Sequence, residues 1–138
     1  MPFQMEKPDT ILAVRDVDAS AAWYEKIFGF ENASPPAHGF AVLRSPQGGV
    51  MLCLHRWGMD DHPTMKDPGR TPGNGLMLYF RLRSIDEVYQ RAVKAGCRIE
   101  EDIHQNPRPG KREFSLRDPD GYFLTVSEFH DFGGGTDG

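Results

Sequence analysis

Two copies of one turn motif constrain the fold of this chain more than any other feature of its sequence. Residues 117–121 read RDPDG and residues 44–48 read RSPQG, so Arg, Pro and Gly recur at the same places. Proline presets φ for the first turn position and glycine supplies a positive φ. Apolar and polar residues alternate on both sides of 117–121, as they do in half-buried strands. The repetition predicts that one structural plan is used twice.

Each half of the chain is predicted to hold a strand, a helix and three further strands. In the first half these elements are expected at residues 10–14, 19–28, from 30 onward, 40–44 and 50–55. In the second half they are expected at 76–82, from 84 to 96, 97–100 and, after a Pro-rich loop at 105–109, within 111–129. The modules, about 9–55 and 76–129, form a single domain joined by a Gly-, Pro- and Asp-rich connector at 56–75.

The second predicted helix has a clear start signal. Ser84 and Glu87 have the spacing of a capping box, in which each side chain bonds the backbone N–H of the other residue. Val88, Ala92 and Val93 then recur at helical spacing and predict an apolar stripe that faces a sheet.

Composition narrows the classes of partner. The chain has 138 residues, enough for one hydrophobic core, and its net charge of −4 argues against nucleic acid, which requires a basic surface. No apolar run reaches the length of a membrane span and no signal peptide opens the sequence. We therefore expect a cytoplasmic protein with no membrane partner, with Cys53 and Cys97 as reduced core thiols and residues 131–138 as a flexible Gly-rich tail.

Several spaced motifs resemble one known family. Residues 16–20 (DVDAS), 23–24 (WY), 29–30 (GF) and the 117–121 turn, together with the doubled order of elements, are similar to the vicinal-oxygen-chelate superfamily. That superfamily includes glyoxalase I, extradiol dioxygenases, fosfomycin-resistance enzymes and bleomycin-resistance proteins. The resemblance implies an α+β fold: two βαβββ repeats form a curled mixed-sheet cup with the helices outside, the glyoxalase/bleomycin-resistance fold.

Within the superfamily, two segments look most like the bleomycin-resistance branch. These are residues 110–119 (GKREFSLRDP) and residues 78–82 (LYFRL) leading into 85–89 (IDEVY). Members of that branch are homodimers that confer antibiotic resistance by sequestering cationic glycopeptide antibiotics. The resemblance therefore implies a homodimer whose partner is a small-molecule ligand.

Enzymes of the superfamily hold a divalent metal with His or Glu ligands, and the matching places here carry other residues. Counting from the motifs puts these places at Asp9, Leu52 (Cys53 if the register shifts by one), Met77 and Thr125. Of Asp9, Leu52, Met77 and Thr125, only Asp9 carries a charge. One carboxylate is too weak a ligand set to compete with water for a divalent ion. We expect no metal, no cofactor and no metal-dependent catalysis.

The expected ligand-binding residues follow from strand alternation and from the repeat between the two modules. On the fifth strand the inward face is the one that the superfamily resemblance implies, because the metal-ligand place falls at Met77. Residues whose neighbours pack on the helix are expected to face the cup, and Trp57 is expected to lean over its mouth. The predicted set contains Phe40, Leu52, Trp57, Met77, Tyr79, Arg81, Glu113, Ser115, Phe123 and Thr125. By the same count Val42, Leu54 and Arg117 face the cup as well. Aromatic residues in this set suit a planar ligand, and Arg81 and Glu113 would fix its orientation.

Three functions remain open at this point. The first is a binding protein that sequesters an aromatic or cationic compound without a metal. The alternative is a metal-dependent lyase, isomerase or dioxygenase similar to glyoxalase I, with ligands elsewhere, for example His55 or His104. The third is a scaffold or regulatory module with no small ligand. No nucleophile set or phosphate loop stands out in the sequence, which favours binding over catalysis.

Overall fold

The structure, a computed structural model, describes residues 8–34, 39–59, 62–69, 73–107 and 110–129. The chain divides into two compact units, one within residues 1–69 and one within residues 70–138. Each unit is described by itself. The predicted tail at 131–138 lies outside the described residues, and the cup expected from the two sheets together stays a prediction.

The first unit contains one helix and a four-stranded mixed sheet in the order β1-β4-β3-β2. Its elements are β1 (Ile11–Val14), α1 (Val17–Phe28), β2 (Glu31–Asn32), β3 (Phe40–Arg44), β4 (Val50–Arg56) and a short 3-10 turn at Pro63–Met65. β1 runs parallel to β4, and the two other strand pairs are antiparallel. The helix α1 begins at Val17, two residues before the predicted start, because the Asp16 carboxylate accepts a hydrogen bond from the Ala19 N–H at 3.0 Å.

The second unit repeats this arrangement in the order β5-β8-β7-β6. Its elements are β5 (Leu78–Leu82), α2 (Ile85–Lys94), β6 (Arg98–Asn106), β7 (Lys111–Arg117) and β8 (Phe123–Glu128). β5 runs parallel to β8, as β1 does to β4, and the two other pairs are antiparallel. The doubled βαβββ order and the α+β class are therefore confirmed.

Three local predictions in the second unit are wrong in detail. Ser84 holds the N-cap position of α2, but its side chain makes no capping hydrogen bond, so the predicted capping box is not formed. Val93 is 50% exposed, and the buried stripe of α2 consists of Ile85, Val88 and Ala92. β6 continues to residue 106, six residues beyond its predicted end and into the predicted loop.

The two turn motifs form the same hydrogen bonds. In the second unit the Gly121 N–H donates to the Asp118 carbonyl and the Asp118 N–H to the Tyr122 carbonyl, each at 3.0 Å. In the first unit Gly48 donates to Ser45, and Ser45 donates to the carbonyl of Gly49, each at 2.8 Å. The φ angles of Gly121 and Gly48 are 95° and 100°, a region that favours glycine. The sequence repeat is thus a repeat in backbone structure.

Each helix packs on one face of its own sheet. The Tyr89 ring of α2 meets the Phe114 ring of β7 edge-on, with centroids 5.1 Å apart. Phe114, Leu116, Leu124 and Val126 are completely buried on this face. In the first unit α1 packs against β3 and β4, where the fully buried residues are Leu43, Leu52 and Leu54, with Val14 on β1. Neither helix in the described residues has the length and apolar character needed to cross a membrane.

Candidate functional site

The face of the second sheet opposite α2 carries a row of polar side chains, and we call it the site face. Strand pairing sets Tyr79 of β5, Thr125 of β8 and Ser115 of β7 side by side. Two residues further along the sheet, the neighbours are Arg81, Ser127 and Glu113. Alternation had predicted this shared face, and the register agrees with it. It brings together Tyr79, Arg81, Glu113, Ser115, Phe123 and Thr125.

Glu113 is the buried carboxylate of the site face, since the residue is only 4% exposed. The Tyr79 hydroxyl donates a hydrogen bond to Oε2, and the Asn106 side-chain amide donates to Oε1 at 2.9 Å. Burying a carboxylate without hydrogen-bond donors costs free energy because its hydration is lost. The hydrogen bonds from Tyr79 and Asn106 offset this cost for Glu113.

Tyr79 is held in its protonated form by this arrangement. Burial raises the pKa of the Tyr79 hydroxyl, and the hydrogen bond to Glu113 raises that pKa further. Hydrogen bonding to Ser127 and the charge of Arg81 act in the opposite direction without reversing the shift. The phenol is therefore a lasting hydrogen-bond donor to Glu113 at neutral pH.

A second hydrogen-bond chain lies one row away. The Ser115 hydroxyl donates to Glu101 Oε1 at 2.7 Å and lies 2.9 Å from the Thr125 hydroxyl. A serine hydroxyl has a single proton, so Thr125 must be the donor in its contact with Ser115. The hydrogen bonds therefore run from Thr125 through Ser115 to Glu101, and the negative charge lies on Glu101, the exposed end of the series.

A cavity of about 310 Å³ opens beside the first row of the site face. It is lined by the loop at residues 73–76 and by Met77, Arg117 and Phe123. Arg117 and Phe123 are direct neighbours on β7 and β8, and the Arg117 guanidinium lies 4.9 Å from the centre of the Phe123 ring. Such a volume is at the lower end for small-molecule sites and accommodates a ring system.

Met77 and Phe123, two predicted ligand-binding residues, thus line one cavity. Met77 was predicted to lie within the fifth strand, but β5 begins one residue later, and Met77 is 51% exposed. Arg117 was expected on this face but not counted among the binding residues.

The first unit places its predicted residues differently. Phe40 is half-buried on β3, with its ring edge-on to His55 at 6.1 Å between centroids. The His55 ring in turn meets His62 at 5.2 Å. Trp57 follows β4 and is half-buried, and its backbone N–H donates to the Val14 carbonyl at 3.1 Å.

The expected orientation of Leu52 and Leu54 is wrong. Leu52 pairs with Leu43 and Leu54 with Ala41, on the face that α1 covers. Cys53 and His55 share the opposite face with Val42 and Phe40. The cause is a bulge: the register shifts between Leu43 and Arg44, so β4 contains one residue more than a strict copy of β8 would. Counting from the turn therefore misses by one, and Cys53 takes the place that corresponds to Thr125.

Comparison with known proteins settles the family. The chain matches the family model of the Glyoxalase/Bleomycin resistance protein/Dioxygenase superfamily over residues 8–126. The chain belongs to this superfamily. The predicted resemblance is thereby confirmed, although no curated protein matches the chain.

Solved structures share the fold of this superfamily member. A glyoxylase/bleomycin resistance protein/dioxygenase domain from Frankia sp. EAN1pec is 25% identical, with a TM-score of 0.67, and the match covers 91% of this chain and 98% of that one. A glyoxalase/bleomycin resistance protein/dioxygenase family enzyme from Burkholderia phytofirmans PsJN is 18% identical, with a TM-score of 0.70 and coverages of 86% and 94%. TioX from Micromonospora sp. ML1 is 21% identical, with a TM-score of 0.68 and coverages of 88% and 98%.

The metal places of the superfamily do not fit a metal ion in this chain. Thr125 donates its proton to Ser115, Met77 offers a neutral thioether, and Leu52 has no donor atom. Burial and the nearby Asp9 carboxylate raise the pKa of the Cys53 thiol, which disfavours the thiolate that a metal would need. Across the described ranges, no three His, Cys, Asp or Glu side chains are grouped so that they could hold an ion. That the protein works without a metal stays a prediction.

Asn106 and Glu101 were not predicted as parts of the site face. Both lie on β6, whose residues do not alternate strictly between apolar and polar. The pairing of β6 with β7 shifts register between Ile99 and Glu101 and again before His104, which explains why a period of two is absent. Because β6 extends to residue 106 and pairs with β7, Asn106 can bond Glu113 and Glu101 can bond Ser115.

Proposed function

We propose that this protein binds and sequesters a small aromatic or cationic compound without a metal, as a cytoplasmic homodimer. The observation that carries the proposal is the buried Glu113 carboxylate, fixed by two donors on a face that also presents aromatic side chains. Antibiotic resistance by sequestration, the role of the bleomycin-resistance relatives, is the physiological function that we infer from it.

The chemistry of the site face supports a cationic group on the ligand. A carboxylate has about four lone-pair directions, and Tyr79 and Asn106 occupy two of them. A ligand N–H or ammonium group would complete the shell with a charge-assisted hydrogen bond, stronger than a neutral one. Tyr79 and Phe123 add aromatic surface on which a flat ligand can stack.

The alternative of a metal-dependent lyase, isomerase or dioxygenase has less support. The Burkholderia relative is described as an enzyme, but at 18% identity it is evidence for the fold alone. Metal analysis of the purified protein separates the two functions, since a stoichiometric divalent ion would contradict our proposal.

The binding test compares two probes that differ in charge. Tryptamine is an aromatic cation, and tryptophol is its neutral counterpart. By titration calorimetry we expect tryptamine to bind about tenfold more tightly than tryptophol, because only the cation pairs with Glu113. Glu113→Gln should remove this difference, whereas Tyr89→Phe, on the helix side of the sheet, should leave it unchanged. Mass spectrometry should recover the ligand unaltered, and equal affinities or a converted ligand would contradict sequestration.

A further inference from the structure

The cavity beside Arg117 has a different chemistry from the Glu113 end of the site face. Two guanidinium groups share the single carboxylate of Glu100: Arg117 Nε at 3.0 Å and Arg98 Nη2 at 3.2 Å. The neighbouring Asp118 carboxylate accepts the N–H groups of Asp120 and Tyr122, at 2.9 and 2.8 Å, within its own turn.

Arg117 is held in a fixed orientation. Nε is bonded to Glu100, Nη1 donates to the Gly121 carbonyl at 2.9 Å, and the guanidinium plane lies by the Phe123 ring. Within the described residues, Nη2 makes no hydrogen bond, so its two protons remain for a bound group. A guanidinium with this geometry is well suited to a carboxylate or another anionic oxygen group.

The walls next to Arg117 favour a ring. Leu76 and Met77 are about half exposed at the cavity, and Phe123 forms another part of its lining. Exposed apolar side chains of this size gain from being covered by an apolar or aromatic ligand. Cation, apolar wall and ring are thus brought together in one cavity.

We propose that this cavity is a subsite for an aromatic group bearing a carboxylate or similar oxyanion, which Arg117 binds. The inference rests on the proposed function and deepens it, because the ligand then carries an anionic group at one end and a cationic group at the other. Arg117 and Glu113 are four residues apart on β7, so the two groups are separated by roughly 14 Å at 3.4 Å per residue. An amphoteric, elongated compound is the ligand class that fits.

The test uses indole-3-acetate, an aromatic carboxylate, against neutral tryptophol. We expect the wild-type protein to bind indole-3-acetate about tenfold more tightly than tryptophol, measured by calorimetry at low salt. Arg117→Gln should abolish this preference. Arg98→Gln is the matched control, since Arg98 shares Glu100 but does not line the cavity, and should keep the preference within about twofold.

A second variant protects the test from a folding defect, because Arg117 also supports the turn through Gly121. Met77→Glu places a negative charge on an already exposed position of the cavity wall and should repel indole-3-acetate while retaining tryptophol. The proposal is overturned if indole-3-acetate shows no preference in the wild type, or if the preference survives both variants. Failure of this subsite is distinct from failure of the proposed function, which is judged with tryptamine and Glu113→Gln.

Discussion

At the scale of single residues, Glu113 and its donors dominate the energetics of the site face. A carboxylate in a residue that is 4% exposed loses most of its hydration, and Tyr79 and Asn106 replace that hydration with hydrogen bonds. Glu113 is predictable from alternation on a regular strand, and Tyr79 from alternation together with the superfamily's metal-ligand place at Met77. Asn106 is not, because it belongs to a strand without regular alternation.

The contribution of Tyr79 can be measured directly. Tyr79→Phe removes one donor from a buried carboxylate, and we expect the free energy of unfolding at neutral pH to fall by about 1–3 kcal/mol. Urea denaturation measures the change. Tyr89→Phe is the control, since the Tyr89 hydroxyl bonds Asp102 on the exposed surface at 3.0 Å, and it should have a much smaller effect. Equal losses in both variants would contradict the role given to Tyr79.

Tyr79 also sets a pH dependence at the alkaline end. Its pKa in the folded protein is raised above its value in the unfolded chain, which is about 10. The contribution of Tyr79 to the free energy of unfolding is therefore complete below pH 10 and is lost as the pH rises through the pKa of the folded state. We expect stability, followed by thermal unfolding, to fall more steeply above pH 10 in the wild type than in Tyr79→Phe. Parallel curves would count against the raised pKa.

At the scale of elements, the two hairpin turns are the most predictable part of the molecule and the bulge beside one of them the least. Proline and glycine at fixed spacing specify the turn locally, whereas the extra residue of β4 is decided by how two strands pair over their whole length. For this reason the sequence was enough to find both hairpins and the face of Thr125, yet it misplaced Leu52 by one position. The long β6 was missed for the same reason, since its irregular pairing depends on β7.

Substituting the turn glycines tests the equivalence of the two hairpins. A Cβ at Gly121 or at Gly48 would meet no atom within 4 Å, so only the backbone conformation resists a side chain. Gly121→Ala and Gly48→Ala should each cost about 1–2 kcal/mol of stability, by similar amounts. Gly49→Ala, next to Gly48 but without a positive φ, is the control and should be nearly neutral. A large difference between the two turns in denaturation experiments would argue against a common design.

At the scale of the whole molecule, the chain consists of two units that each build a sheet and cover one face of it with a helix. Each unit has its own buried core, formed by residues such as Leu43 and Leu54 in the first and Phe114 and Leu124 in the second. Such small sheets leave edge strands, here β1 and β2 in one sheet and β5 and β6 in the other. Edges of this kind are usually covered in a stable assembly.

We therefore expect a homodimer in solution. Light scattering coupled to size exclusion should give twice the mass of the chain over a range of micromolar concentrations. A mass equal to one chain at all concentrations would remove the dimer from the proposal while leaving the site face of the second unit intact.

The shared turn geometry has a consequence for protein engineering. In the first hairpin the loop is closed by main-chain atoms, and its shape needs a glycine at residue 48 but no particular side chain at residue 47. Residue 47 can therefore be randomised without disturbing the two strands that the loop joins. A library built there would vary the loop chemistry of the first half on an unchanged backbone.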